Sequence, residues 1–186
     1  MRILGISGSL RRESYNTKLL HAVEELLPDG IELDLYEELE QVPPYNEDRD
    51  TDDSPLAAVH LREAIARADA VLFATPEYNG SVPGQLKNAV DWASRPHRVS
   101  ALWGKPVAVV GASTGMFGAV WAQAELRKVL KTAGARVVET EVAVSKADTK
   151  FGDDGAVLDD ELRDQLAETL ELLAAEAAEA PRLVAA

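Results

Sequence analysis

The sequence predicts an open, doubly wound α/β fold: a five-stranded parallel sheet with helices on both faces. Three nearly continuous apolar runs, residues 2–7, 68–75 and 105–113, are bounded by turn residues. Such runs are typical of parallel strands that are buried on both faces. Helical patterns lie between the runs, and strict alternation of strands and helices favours one parallel sheet with right-handed crossovers.

The order of the strands follows from two weaker segments. Residues 31–35 alternate between apolar and charged side chains, as expected of a half-exposed edge strand, and residues 135–144 predict a fifth strand. An exposed second strand beside a buried first strand predicts the order 2-1-3-4-5. This is the flavodoxin-like arrangement.

The helices are predicted from apolar residues spaced three or four positions apart. The pair Ser54-Pro55 is expected to cap and open the second helix, and further helices are expected to begin near Gly84 and Phe117. The apolar stripes of the first, second and closing helices are Leu19, Leu20, Val23 and Leu27; Ala58, Leu61, Ile65 and Ala68; and Leu162, Leu166, Leu170 and Leu173.

Length and composition predict a single domain over residues 1–186. The chain is 46% hydrophobic and 27% charged, which is sufficient for a sizeable core. Residues 46–55 and 151–157 are expected to form exposed loops. The segment from about residue 175 to 186 departs from the core pattern and is expected to be a frayed tail.

Several function classes are disfavoured by composition. The chain has no cysteine and three scattered histidines, so disulfides and a metal site are not expected. A net charge of −13 argues against a nucleic-acid partner. The apolar run at the start is too short for a signal peptide or a membrane span, so a cytoplasmic protein without a membrane partner is expected.

Ligands of doubly wound sheets bind outside the carboxyl ends of the strands, which directs attention to the loops after residues 7, 75 and 113. The first loop, "GSLRRESYNT" (8–17), has neither the Gly-x-Gly-x-x-Gly nor the Gly-Lys-Ser/Thr fingerprint. Its Ser9, Arg11, Asn16 and Thr17, with the amides of the following helix, form a candidate phosphate site. A turn in which Ser14 caps the helix and the arginines are solvated is an equal alternative.

The second loop, "TPEYNGSVPG" (75–84), combines two prolines, two glycines and a tyrosine after a buried strand. Such a loop is stiff and presents backbone groups to the edge of a planar ligand, although a structural turn with Tyr78 on the surface is the alternative. The third loop, residues 111–120, places Ser113 and several glycines before a helix, which alone is a weak signal.

Together these segments resemble the NADPH-dependent FMN reductase family, which includes quinone, chromate and azo-dye reductases. The matching motifs cover most of the chain up to about residue 138. They are "GISGSLRRESYNTKLL", "PPYNEDRD", "ATPEYNGSVPGQLKNAVDW" and "GASTGMFGAVWAQAELRKVL". Short flavodoxins have a phosphate loop of a different pattern, and a signalling receiver would need an acceptor Asp where this chain has "FATPEY".

The resemblance implies FMN as cofactor and NADPH or NADH as co-substrate. It places the FMN phosphate on Ser9, Arg11, Asn16 and Thr17, and Ser113 on the other side of the cofactor. The residues that it places along the isoalloxazine ring are Pro76, Glu77, Tyr78, Asn79 and Gly80. No catalytic residue is expected, because the hydride passes through the flavin N5.

The resemblance also implies an acceptor and an assembly. A quinone, free flavin, azo compound or chromate-like anion would take the electrons, and the chain would form a homodimer or homotetramer. Lys87 and Asp91 are expected to be a solvated pair or a subunit contact. Arg11, Arg12 and Arg95 are candidates for the 2′-phosphate of NADPH. A non-catalytic flavin-binding carrier or regulator is the alternative function.

Overall fold

The computed structural model describes residues 1–152 and 155–179. Within them the chain forms strands β1 (Arg2–Ser7), β2 (Glu32–Leu35), β3 (Ala70–Ala74), β4 (Pro106–Ala112), β5 (Arg136–Val137) and β6 (Val142–Val144). The helices are α1 (Tyr15–Glu24), α2 (Leu56–Arg67), α3 (Gly84–Ala93), α4 (Val120–Thr132) and α5 (Asp160–Glu179). No helix in these residues has the length and apolar character needed to cross a membrane.

The strand order confirms the predicted topology. The strands pair in parallel in the order β2-β1-β3-β4-β5, and β6 also pairs with β4. The carboxyl ends of β1, β3 and β4 therefore meet at one edge of the sheet, which is where the three candidate loops begin.

The predicted fifth strand, residues 135–144, is divided into β5 and β6. From Val137 to Val142 the chain advances five residues while β4 advances three, from Val107 to Val110. The two extra residues interrupt the ladder as a bulge. The guanidinium of Arg127 donates to the carbonyl oxygen of Thr140 at 3.1 Å, so a side chain supplies a hydrogen bond where the strand ladder is broken.

Apolar side chains from alternate strand positions form two cores. On one face, Leu4, Ile6 and Phe73 pack with residues of α2, α3 and α4. On the other face, Ile3 and Leu72 pack with residues of α1 and α5. Helices thus cover both faces, and burial on both sides explains why the central strands read as continuous apolar runs.

Two helix starts differ from the sequence expectation. The helix α2 has Pro55 at its N-cap position, and the hydroxyl of Ser54 donates to the carbonyl oxygen of Thr51 at 2.7 Å instead of capping the helix. The helix α4 begins at Val120 rather than near Phe117, because Gly118 and Ala119 have φ angles of +55° and +64°. A residue with positive φ cannot belong to a right-handed helix.

The helix α5 continues through part of the segment expected to be a frayed tail. Residues 175–179 are helical, Ala177 packs against the core, and Glu176 forms an ion pair with Arg136 at 2.5 Å. The expectation of fraying from residue 175 is therefore wrong for these five positions. Residues 180–186 lie outside the described part of the chain.

A strap of residues 39–45 is bound to α3 through its main chain. The side chains of Gln85, Asn88 and Trp92 lie on one face of α3 and donate to carbonyl oxygens of the strap at 2.6–2.9 Å. The acidic loop that follows is anchored as well, because Asp50 pairs with Arg62 at 2.7 Å and both side chains are largely buried. Most residues of the loop are nevertheless exposed, as its composition predicts.

Candidate functional site

The three loops at the carboxyl edge are linked to the neighbouring strands by main-chain hydrogen bonds. Gly8 donates to Ala74 at 2.8 Å, Thr75 donates to Val110 at 2.9 Å, and Ser113 donates to Val144 at 3.0 Å. A Cβ atom on Gly8 would lie 2.7 Å from a methyl carbon of Leu86, so glycine lets the first loop lie against α3 without displacing that side chain. The sheet therefore fixes where each loop begins.

In the first loop, Ser14 caps α1. Its hydroxyl oxygen accepts hydrogen bonds from the amides of Asn16 and Thr17 at 3.2 and 3.3 Å. The hydroxyl of Thr17 donates to Ser7 Oγ at 2.9 Å, and the amide of Ser9 donates to the same oxygen at 3.4 Å. Sequence reasoning missed Ser7, although a polar residue at the end of a buried strand is a detectable signal.

Asn16, one of the candidate phosphate ligands, is buried rather than exposed in the loop. Its side chain is buried, and its carboxamide binds both main-chain groups of Ala112: Nδ2 donates to the carbonyl oxygen at 3.0 Å and Oδ1 accepts from the amide at 2.9 Å. The reason is that α1 begins at Tyr15, so Asn16 already belongs to the first turn and faces β4. The side chain joins α1 to the end of β4.

The two arginines of the first loop have different surroundings. Arg11 donates to the carbonyl oxygen of Glu13 at 2.5 Å, and its guanidinium carbon lies 5.5 Å from the ring centre of Tyr15. Arg12 is exposed and has no hydrogen bond or ion pair with any described residue. The backbone amides of Leu10 and Arg12 are likewise without an acceptor in the described chain, so donors in this loop remain available to an anion.

The second loop contains a two-residue hairpin. Tyr78 and Ser81 exchange main-chain hydrogen bonds of 3.2 Å, and Asn79 and Gly80 between them have φ angles of +55° and +74°. Two consecutive positive φ angles at Asn-Gly are the signature of a type I′ turn. The side chain of Tyr78 is half exposed at the base of this turn.

Two carboxylates fasten the second loop to α4. Glu77 Oε2 accepts hydrogen bonds from the amides of Trp121 and Ala122, in the first turn of α4, at 3.0 and 3.1 Å. Glu125, one turn further on, accepts from the hydroxyl of Ser81 at 2.6 Å and from the amide of Val82 at 3.2 Å. These two hydrogen bonds, the Ser81 bond first, lower the pKa of Glu125 below its ordinary value of 4.5.

The third loop lies against β6 and the turn that follows it. The amide of Lys146 donates to the carbonyl oxygen of Gly115 at 3.1 Å, and Gln123 Nε2 donates to the carbonyl oxygen of Gly118 at 3.2 Å. A Cβ atom on Gly118 would lie 2.4 Å from a main-chain carbon of Ala143. Beyond this packed base, the side chains of Met116 and Phe117 are exposed.

A cleft of about 350 Å³ runs from the first loop toward the end of β2. One wall carries Ser9, Arg12 and His21, and the other carries Tyr36, Glu37 and Glu40. Burial, with a smaller contribution from Glu38, raises the pKa of Tyr36 to about 12, and its hydroxyl donates to the carbonyl oxygen of Ala57 at 3.4 Å. No residue of the second or third loop is part of this lining among the described residues.

The lysine and aspartate on α3 form the expected pair. Lys87 Nζ lies 2.6 Å from one carboxylate oxygen of Asp91 and 2.8 Å from the other, and both side chains are about two fifths exposed, at 42% and 40%. A pair of this kind, four residues apart on a helix surface, contributes little to stability.

The sheet order and the three convergent loops define a flavodoxin-like protein. The family model of the NADPH-dependent FMN reductases matches residues 1–149. An NAD(P)H-dependent FMN reductase of Pseudomonas aeruginosa is 44% identical over 174 residues, covering 93% of each chain. A quinone reductase of Pseudomonas putida is 42% identical over 158 residues, covering 85% of this chain and 84% of the relative.

A solved structure of a flavoenzyme is also similar to this chain. The flavoenzyme NAD(P)H:(acceptor) oxidoreductase FerB from Paracoccus denitrificans superposes with a TM-score of 0.87 at 34% identity, covering 96% of this chain and 98% of that chain. The chain belongs to the NADPH-dependent FMN reductase family. It is an oxidoreductase with FMN as its cofactor and NAD(P)H as its co-substrate.

Proposed function

We propose that this chain reduces bound FMN with NAD(P)H and then passes the electrons to a small-molecule acceptor on the same open face. The observation that carries the proposal is the convergence of three loops at the carboxyl edge of β1, β3 and β4. A quinone or a free flavin is the acceptor best supported, since relatives are named for both kinds of reaction. Azo compounds and chromate-like anions complete the proposed range.

The residues present fit the phosphate end of FMN. The unbound amides of Leu10 and Arg12, the hydroxyl of Ser9 and the cation of Arg11 form a set of donors suited to a phosphate monoester. Thr17 contributes a hydroxyl beside Ser7, and Asn16 contributes by holding the first turn of α1 against β4. The loop therefore acts as a fixed cradle.

The second and third loops fit the ring end. The hairpin presents the backbone of Pro76, Glu77, Tyr78, Asn79 and Gly80, and Ser113 directly follows β4 at the same edge of the sheet. Nothing lies within 4 Å of the place where a Cβ of Gly80 would be, which leaves room for a ring beside the turn. When bound, FMN supplies two-electron redox chemistry at N5, so no residue of the chain has to act as a covalent or acid–base catalyst.

The role of the chain is then positional. The hairpin is rigid, because its turn is closed by main-chain hydrogen bonds and both of its ends are tied to α4. A rigid loop can hold planar rings in a stack and can aim amides at negative charge that develops during reduction. The half-exposed ring of Tyr78 borders the open side, where the nicotinamide and the acceptor would alternate.

The test is the colour of the purified protein. Protein with FMN is expected to be yellow, to bleach under anaerobic conditions on addition of NAD(P)H, and to regain colour when a quinone is added. A colourless protein that does not bind added FMN contradicts the proposal. A yellow protein that NAD(P)H does not bleach would instead support the non-catalytic carrier.

A homodimer or homotetramer belongs to the same proposal. Met116, Phe117 and Trp121 are exposed beside the third loop, and the rings of Phe117 and Trp121 lie 4.8 Å apart. Exposed apolar clusters of this kind mark contact surfaces. Light scattering should show more than one chain per particle, and Phe117→Ser should shift the protein toward the monomer.

The proposal includes a cytoplasmic location, where NAD(P)H is available, and neither nucleic-acid nor membrane partners.

A further inference from the structure

Only one end of the cleft between the first loop and the end of β2 is assigned to FMN. The phosphate cradle forms one end of it, and from there it extends away from the second and third loops. Neighbouring strands lie about 4.8 Å apart, so the β1–β2 side of the sheet is about two strand spacings, or about 10 Å, from the β3–β4 side. An extended dinucleotide with its nicotinamide at the ring end can span that distance.

The charged groups that line the cleft are of both signs. Arg11, Arg12 and His21 line one wall, and Glu37 and Glu40 line the other. The guanidinium of Arg11 is engaged with Glu13 and Tyr15, whereas that of Arg12 has no partner in the described chain. In a chain with a net charge of −13, an unpaired arginine inside a cleft is an unusual feature.

Glu37 is placed two residues after β2. Neither Glu37 nor Glu40 has an ion-pair partner among the described residues. In Rossmann folds that bind dinucleotides, an acidic residue about 20 residues after the first loop binds the ribose 2′-hydroxyl, whereas an arginine nearby accommodates a 2′-phosphate. The lining of this cleft includes both groups, Arg12 from the first loop and Glu37 from the segment after β2.

We propose that the cleft binds the adenosine ribose of the nicotinamide co-substrate, with Arg12 pairing with the 2′-phosphate of NADPH and Glu37 accepting from the 2′-hydroxyl of NADH. This assignment rests on the proposed function and specifies where that co-substrate lies. The facing charges make the site tolerant of both dinucleotides.

The kinetic test compares kcat/KM for NADPH and NADH in the FMN-loaded protein, with a quinone as acceptor. Arg12→Ala should lower kcat/KM for NADPH by about ten- to a hundred-fold, the range of a lost hydrogen bond to a charged group, and leave NADH nearly unchanged. Glu37→Gln should lower kcat/KM for NADH more than kcat/KM for NADPH, and so shift the ratio of the two values in the opposite direction. Arg49→Ala, which removes another exposed and unpaired arginine outside the cleft, is the matched control.

A binding measurement separates this inference from the proposed function. Titration calorimetry with adenosine 2′,5′-bisphosphate and with adenosine 5′-phosphate needs no turnover. The wild-type protein should bind the bisphosphate more tightly, and Arg12→Ala should abolish the difference. An equal loss for both dinucleotides, or no loss, in Arg12→Ala overturns the phosphate assignment. An unchanged ratio in Glu37→Gln overturns the hydroxyl assignment. A protein inert with both dinucleotides that still binds the bisphosphate would contradict only the proposed function.

Discussion

Glu77 and Glu125 connect the same loop to the same helix in opposite directions. Glu77 belongs to the second loop and accepts from amides in the first turn of α4, whereas Glu125 belongs to α4 and accepts from Ser81 and Val82 of the loop. The hairpin that borders the proposed flavin ring is thereby held at both ends. Two hydrogen-bonded carboxylates, one on each partner, fix a loop more firmly than its turn alone.

The carboxylate of Glu77 should contribute to stability as a helix cap. Glu77→Ala leaves the amides of Trp121 and Ala122 without this acceptor and removes a negative charge from the positive end of α4. Loss of a cap typically lowers the free energy of unfolding by about 0.5–2 kcal/mol. Urea unfolding measures this change, and FMN titration should show weaker binding because the hairpin is loosened. Glu171→Ala, on the exposed side of α5, serves as the control and should alter neither quantity.

The stabilising effect of Glu125 should depend on pH in a defined direction. Its pKa in the folded protein is lowered by the hydrogen bonds from Ser81 and Val82, so its contribution is present above the unfolded pKa and is lost as the pH falls through the folded pKa. The loss therefore lies below the ordinary value of 4.5. Urea unfolding of wild type and Glu125→Gln across this range should give a difference at neutral pH that disappears in acid. A difference independent of pH would show that the charge of Glu125 is immaterial.

Replacement of Asn16 should destabilise the fold as well as the cofactor site. Asn16→Ala leaves the buried amide and carbonyl of Ala112 without partners, and each unsatisfied buried group costs about 1–3 kcal/mol. The free energy of unfolding should fall in the apoprotein. Ser9→Ala, a change at the neighbouring loop hydroxyl, should weaken FMN binding with little effect on unfolding. If Asn16→Ala weakens FMN binding while leaving the apoprotein as stable as wild type, its side chain acts on the phosphate directly.

The kinetics should follow a ping-pong pattern. If the nicotinamide and the acceptor use the same face beside the hairpin, the oxidised dinucleotide has to leave before the acceptor stacks. The enzyme is then modified between its two substrates, and reciprocal plots at several acceptor concentrations should be parallel. Intersecting lines in a two-substrate rate matrix with a quinone would indicate a ternary complex and contradict the shared face.

Tyr78 should influence the acceptor more than the cofactor. Its ring is 52% exposed and stands at the rim of the hairpin, where an apolar ring can cover a flavin while its hydroxyl remains in water. Tyr78→Ala should therefore raise KM for the quinone and leave the content of bound FMN unchanged. Loss of FMN from the purified variant would show that Tyr78 holds the cofactor instead.

Much of the fold was predictable, because each central strand is marked by an apolar run in its own short segment of sequence. The runs at residues 2–7, 68–75 and 105–113 correspond to β1, β3 and β4 within two residues at each end, since burial on both faces leaves a continuous apolar signal. The division of the fifth strand was not predictable. It is stabilised by Arg127, a residue on α4 whose contact with Thr140 is created only by the tertiary fold.

The site was predictable as a set of loops but not as a set of contacts. The sequence pointed to the loops after residues 7, 75 and 113, and the structure places all three at one edge. The sequence does not show which polar groups are already hydrogen-bonded within the protein. Asn16 binds Ala112 and Glu77 binds Trp121, and these partners are 96 and 44 residues apart in the chain. Arg12 could be distinguished from Arg11 only once the partner of Arg11 was known.

The bulge between β5 and β6 has a consequence for native-state hydrogen exchange. The strand β6 pairs three residues with β4 at the outer side of the sheet, while β4 also pairs with β3 on its inner side. Short outer pairings open at lower free energy than central ones, so the amides of β6 should exchange faster than those of β4. Val144 and Lys146 hold the main chain of Ser113 and Gly115, so each such opening also releases the third loop. The lifetime of that wall of the cofactor site is thus set by the outermost strand rather than by the loop itself.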